Sequence, residues 1–167
     1  MELARNAEER EWSAVVADSQ TKGRGTGGNE WYSPAGQNLY FSMIAWPPEA
    51  MANLAVINHT AALAVAGTLS GYGLDCRIKW PNDVLAGGRK ICGILSSSGL
   101  YGRCGRFVVC GIGLNVNVER FPPELSGRAT SLRLETGRDA DRDGLLTDLL
   151  AALRERFSLL FQKGFGG

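Results

Sequence analysis

With 167 residues, 44% of them hydrophobic and 21% charged, the chain has the size and composition of one soluble globular domain able to bury its own core. A formal net charge of +1 excludes a broad electrostatic footprint for nucleic acid or an anionic membrane, so partners must be read from local sites. Four cysteines, Cys76, Cys92, Cys104 and Cys110, form no C-x-x-C pair and have one histidine, His59, to join them, which argues against a zinc site and for reduced, partly buried thiols in a cytoplasm.

In chain order, residues 3–11 read as a short polar helix, and the charged opening MELARNAEEREW carries no signal peptide. SAVVAD (13–18) is a strand that leads into the glycine loop GRGTGG (23–28). NLYFSMIAW (38–46) alternates apolar and aromatic residues with smaller or polar ones until Pro47 and Pro48 stop it, as a strand does. Residues 49–69 form a core helix, apolar nearly all round from Ala61 to Ala66. Its apolar run is interrupted by Asn58, His59, Thr60 and Gly67 and falls short of a bilayer span. CRIKW (76–80) is a strand ended by Pro81, and VLAGGRKICGIL reads as a hairpin turning at Gly87 and Gly88. RFVVCGIGLNVNV (106–118) is a further strand, and residues 141–163 place leucines and phenylalanines at helical spacing. Adjacent hairpins with few helices between them predict an α+β domain with a central mixed, largely antiparallel sheet and helices packed on it.

Gly23, Gly25 and Gly28 satisfy the G-x-G-x-x-G pattern, but a dinucleotide fold needs a helix to open at the third glycine and an acidic residue about 20 positions onward. The loop runs instead into Asn29, Trp31, Pro34 and Gly36, where no helix can begin. Nor do G-K-[ST], H-R-D or D-F-G stretches follow, so nucleoside triphosphatase and kinase readings fall away. A lone histidine and no G-x-S-x-G or H-E-x-x-H leave hydrolase chemistry without support. His59 reads as a structural histidine on the core helix.

Four separated stretches, ADSQTKGRGTGGNEWYSPAGQNLYFS, IKWPNDVLAGGRKICGIL, VCGIGLNVN and ATSL, resemble the catalytic domain of the biotin protein ligase family in order and interval, over most of residues 12–134. The resemblance implies a fold related to class II aminoacyl-tRNA synthetases and to lipoate ligases. The cysteine pattern and net charge point to a cytoplasmic protein without a membrane partner, no DNA partner is expected because residues 1–167 leave no room for the winged domain that some relatives carry, and a monomer or homodimer is expected. Biotin and MgATP would give biotinyl-5′-adenylate and pyrophosphate, and the acyl group would pass to one lysine of a biotin carboxyl carrier protein.

That chemistry needs cations where the carboxylate meets the α-phosphate. Arg24, whose planar fork grips carboxylate or phosphate oxygens, matches the family's ligand-contacting arginine, and Gly23 and Gly25 would let backbone N–H groups approach the same oxygens. Lys79 shares a strand face with Arg77. It reads alone as a solvated edge-strand lysine, and through the resemblance as the ammonium over the reacting centre. Asn82 and Asp83 make an ordinary Pro-Asn-Asp turn or, in this context, orient cations, phosphate or Mg²⁺. Gln20 matches a family biotin contact, and Gly93, Ile94 and Leu95 resemble the strand lining the biotin slot, a reading compatible with ordinary core. Asn115 and Asn117, two apart on a strand, would point one way, with Asn115 the better candidate for adenine's edge. Trp31 is either a stacking lid for adenine or an anchor of the loop in the core. No residue set suggests a protein-bound metal.

The chain departs from the family in three places, the smallest being Ser97 or a neighbour, where relatives often have glutamate after GIL. Thr26 stands where the family's G-R-G-R loop has a second arginine, which predicts a weaker grip and leakage of the adenylate onto bystander amines. The family's Ser-Thr pocket stretch would precede the first residue here, and neither a winged DNA-binding domain nor a C-terminal β-barrel is expected within residues 1–167. Two rival readings stand beside the ligase: a non-catalytic biotin or adenylate-binding module, and a lipoate or other acyl ligase on the same scaffold.

Overall fold

The computed structural model describes residues 12–48, 53–101 and 105–163. The expected polar helix over 3–11, the first residues of the expected core helix, Cys104 and the last residues of the tail lie outside them.

Among the described residues six strands form one sheet: β1 (Ala14–Ala17), β2 (Leu39–Ala45), β3 (Cys76–Lys79), β4 (Asp83–Ala86), β5 (Arg89–Tyr101) and β6 (Gly105–Leu114), in the order β1-β2-β6-β5-β4-β3. Every strand pair is antiparallel, so the expected mixed character shrinks to one isolated parallel bridge, Lys90 to Ala129. The β4–β5 turn falls where expected. Gly87 and Gly88 have φ of +55° and +77°, the primed-turn geometry that matches strand twist and that glycine adopts without a Cβ penalty.

Alternation sorts each strand's side chains onto two faces. Leu39, Phe41 and Met43 of β2, Cys92 and Ile94 of β5, and Val108, Cys110, Ile112 and Leu114 of β6 all belong to one buried cluster. Helix α1 (Leu54–Gly71) and helix α3 (Arg142–Lys163) supply the rest, through Ile57, Ala61, Val65 and Leu69 and through Leu145, Leu149, Leu153 and Phe157. Asn53 caps α1, its side chain accepting from the Ala55 N–H at 3.0 Å. The helix begins at Leu54, later than the sequence suggested. It reaches 18 residues with a mean hydropathy of 1.3, so on length and composition alone it does match a membrane span; its buried residues pack in the core cluster.

Two local departures shape the opposite face. β4 and β5 slip in register, with Val84 opposite Cys92 but Leu85 opposite Lys90. Ile91 is therefore an extra, bulged residue, buried like its neighbour Cys92, and Lys90 turns to the face opposite Cys92 and Ile94. β6 ends at Leu114, short of the expected Val118: Asn115 still reaches β5, but Asn115 O and residues 116–117 bond to other segments. Asn115 N–H donates to Ile91 O and Asn117 N–H to Gln37 O, while Asn115 O accepts from Leu132 N–H. That last bond opens a short helix the sequence reading did not anticipate, α2 (Leu132–Thr136). Ser131 caps it through its hydroxyl, and Gly137 closes it in the left-handed conformation.

Candidate active site

With α1 and α3 on one face, the other face of the sheet carries a cavity of about 580 Å³. Its floor follows the register. Val15, Ser42, Gly111 and Leu95 lie opposite one another on four strands and all line it. The next row runs Ala17, Tyr40, Gly113, Gly93, Asp83, Lys79 across the whole sheet. Glycines at 93, 111 and 113 bring backbone to the lining, where 93 and 113 make room for the Trp31 ring, and Lys22, Arg24, Thr26 and Gln20 line the cavity as well.

The glycine loop is folded back on itself. Gly25 N–H donates to Asn29 O at 2.7 Å and Trp31 N–H to Gly23 O at 3.0 Å, with a short 3-10 turn over Thr26–Gly28. Gly23 is buried, and a Cβ there would stand 2.6 Å from Trp31 O and 2.7 Å from Ser33 Oγ. Its missing side chain makes room for the returning chain, not for a ligand as expected. Gly25 lines the cavity. Gln20 lines it too, and its Nε2 donates to Ser33 Oγ at 3.1 Å.

Trp31 packs on the cavity side of the sheet and not in the helix-side core. Its indole lies on the facing glycines: a Cβ on Gly113 would meet Nε1 at 2.6 Å, and one on Gly93 would meet the ring at 2.8 Å. The indole N–H is buried without an acceptor, a donor at the cavity floor. Lys90 stands beside it, with Nζ 5.2 Å from the ring centroid, a cation–π distance, and 2.6 Å from Asp83 Oδ1. Lys22, Arg24 and Lys90 are thus three cations on one cavity, an arrangement suited to an anionic ligand.

Lys79, the lysine the sequence reading favoured, shares the cavity face but sits exposed on edge strand β3, beyond Asp83 and outside the lining. Arg24 and Lys90 are on the cavity lining and Lys79 is not. Asn82 is buried and lines the cavity while clamping β5, its Nδ2 and O bonding Ile94 O and N at 2.9 Å each. Asp83 faces Lys90. Gly93 and Leu95 line the cavity; Ile94 borders it, with its side chain in the helix-side core.

Asn115 and Asn117 do not share a strand face and do not line the cavity. The Asn115 amide donates to Thr130 O at 3.0 Å and accepts from Asn38 Nδ2 at 3.3 Å, and the Asn117 amide pairs with both backbone groups of Ala140. Both hold the returning chain in place. Tyr40, missed from sequence, borders the cavity with its hydroxyl donating to Pro34 O at 3.0 Å. Burial pushes its pKa up to about 12, so it stays a neutral phenol.

Residues 3–115 match the profile of the biotin/lipoate A/B protein ligase family. The bifunctional ligase/repressor BirA of Bacillus spizizenii is 37% identical over 98% of this chain and 51% of its own length. The biotin–[acetyl-CoA-carboxylase] ligase of Paracoccus denitrificans is 37% identical over 82% of this chain and 59% of its own. Among solved structures, the biotin protein ligase from Aquifex aeolicus in complex with biotin and ATP superposes with a TM-score of 0.84 at 35% identity, covering 98% of this chain and 68% of that one. This chain spans about half the length of the BirA relatives it matches. On profile, identity and fold together, the chain belongs to the biotin/lipoate A/B protein ligase family, as a biotin protein ligase catalytic domain.

Proposed function

We propose that this domain activates biotin with MgATP and passes the biotinyl group to a lysine of a carrier domain. The observation that carries the reading is the glycine-floored slot with Lys22, Arg24 and Lys90 on its lining. An apolar channel suits the valeryl chain and fused rings, and Ser42, Ser97 and Gln20 on the lining offer polar groups to the ureido end. The cations suit the reacting end, where a biotin carboxylate oxygen attacks the α-phosphorus and pyrophosphate leaves. Negative charge accumulates there, and in this reading Lys90 and Arg24, both on the lining, stabilise it. Mg²⁺ enters with the nucleotide as part of the substrate. In the second step the acceptor amine attacks the acyl carbon, AMP leaves, and the amine's proton passes to solvent.

For Lys90 to serve an anionic ligand its ammonium must share or exchange Asp83, its present partner at 2.6 Å. Folding the rim over the intermediate would exclude water from the mixed anhydride.

The test is a mixture of the protein with biotin and MgATP, followed for pyrophosphate and, by mass spectrometry, for biotinyl-adenylate. A biotin carboxyl carrier domain and an unrelated lysine-rich protein serve as acceptors, and lipoic acid as a competing acid. Pyrophosphate release that requires biotin supports the reading. Release with lipoic acid alone, or none with either acid, overturns it.

A further inference from the structure

Lys90 faces the cavity because the Ile91 bulge turns it from the Cys92–Ile94 face, and on the side away from β4 its backbone is held by the chain at 128–130. Its N–H donates to Arg128 O and its C=O accepts from Thr130 N–H, each at 2.9 Å. Residues 128–130 therefore run beside it as a strap, and the strap has an anchor. Glu135 Oε1 on α2 accepts from the Thr130 hydroxyl and, at 2.7 Å, from the Arg89 guanidinium. Arg89 precedes Lys90 and Thr130 holds its carbonyl, so one carboxylate oxygen ties together both flanks of the cavity lysine. The other oxygen lies 3.2 Å from where a Gly87 Cβ would stand, which sets α2 against the turn that β5 leaves.

We propose that Glu135 is a positioning residue: by clamping Arg89 and Thr130 it fixes the backbone from which the Lys90 ammonium is aimed into the cavity. Glu135 lies outside the cavity lining and takes no part in the reaction. Its effect passes through Lys90 alone. The inference rests on the ligase reading for its kinetic test and on nothing but the fold for its spectroscopic one.

Biotin-dependent pyrophosphate release is compared in Glu135→Ala, Glu135→Gln, Lys90→Ala and the Lys90→Ala/Glu135→Ala double variant. Glu135→Ala is expected to lower kcat/KM about tenfold through loss of alignment. Glu135→Gln, which keeps an acceptor for both donors, should recover most of that loss. In the Lys90→Ala background, removing Glu135 should change the rate less than about twofold, because nothing remains to be aimed. An equal proportional loss in both backgrounds would mark a purely structural role and overturn the proposal, as would an unchanged Glu135→Ala rate.

The chain has four lysines, Lys22, Lys79, Lys90 and Lys163, so ¹³C-dimethylated lysines can be followed one by one by NMR without substrate. The Lys90 signal should move in Glu135→Ala and stay near its original place in Glu135→Gln, with Lys22 and Lys79 unmoved. A stationary Lys90 signal in Glu135→Ala overturns the proposal, whatever the activity. A wild-type protein that releases no pyrophosphate while its Lys90 signal behaves as described would sink the ligase reading and leave this inference standing.

Discussion

Gly113→Ala is the most direct test of how the sheet holds the glycine loop. Gly113 lies in the middle of the cavity floor with ordinary strand backbone, so alanine costs nothing in φ. The added methyl would sit 2.6 Å from Trp31 Nε1, 2.7 Å from Cε2 and 3.1 Å from Cζ2. Carbon contacts settle at roughly 3.5–4.0 Å, so the indole must lift by about 1 Å. It cannot do so alone, since Trp31 N–H is bonded to Gly23 O and Arg24 follows Gly23 directly. If the loop resists, the strain appears as overpacking, about 1–3 kcal/mol, which in a domain of this size lowers the melting temperature by roughly 2–4 °C per kcal/mol. If the loop yields, the melting point holds and Arg24 is displaced instead, with a loss in kcat/KM for biotin of up to about 10²-fold. Thermal melts and pyrophosphate kinetics on the same preparations separate these outcomes. In a Trp31→Ala background the same substitution should have no effect. Unchanged melting and kinetics in Gly113→Ala, or an undiminished effect without the indole, would refute the idea that the glycine floor is the seat of Trp31.

Lys90→Ala should lower kcat/KM for adenylate formation by about 10²-fold or more, while Lys79→Ala, on the edge strand, should cost less than about threefold; the same pyrophosphate assay ranks them, and the reverse order would restore the lysine first favoured from sequence. Burial raises the Cys110 thiol from 9.0 to about 11, so the unfolded chain loses that proton first and stability should fall as pH climbs from about 9 to 11. Denaturant titrations should show a drop of up to about 3 kcal/mol over that window, shallower in Cys110→Ala. Thr26 stands exposed at the cavity rim; Thr26→Arg is expected to reduce biotin labelling of an unrelated lysine-rich protein relative to a carrier domain, measured by streptavidin blot.

Alternation placed β6 and the helix-side cluster, because on that strand one face is buried and a register slip would expose it, whereas β1 is exposed throughout and β2 is buried on both faces. The same rule does not reach the site. Counting by twos from Cys92 and Ile94 puts Lys90 in the core, and only the bulged Ile91, which no local signal announces, turns it outward. Lys79 lies in the same register row as Gly93 and Gly113, but face says nothing of how many strands separate a residue from the cleft. Asn115 looked like a strand residue because β-propensity continues past Leu114. What ends the strand there is the chain returning at 129–132, a contact between segments far apart in sequence. The helix α2 did leave a trace, since Ser131 and Gly137 bracket it as cap and stop, but five residues between them are too few for a periodicity to register.

The β2–β6 junction joins a hairpin, β1–β2, to a four-strand meander, β3 to β6, that follows it only after α1. The cavity floor straddles that junction, with Val15 and Ser42 on one side and Gly111, Leu95 and Gly93 on the other. A molecule lodged there acts as a rivet between two separately threaded pieces. Its binding free energy must then be recovered as resistance to their parting, and amide hydrogen exchange along Leu39–Ala45 and Val108–Leu114 should slow on ligation more than exchange within the β3–β4 hairpin.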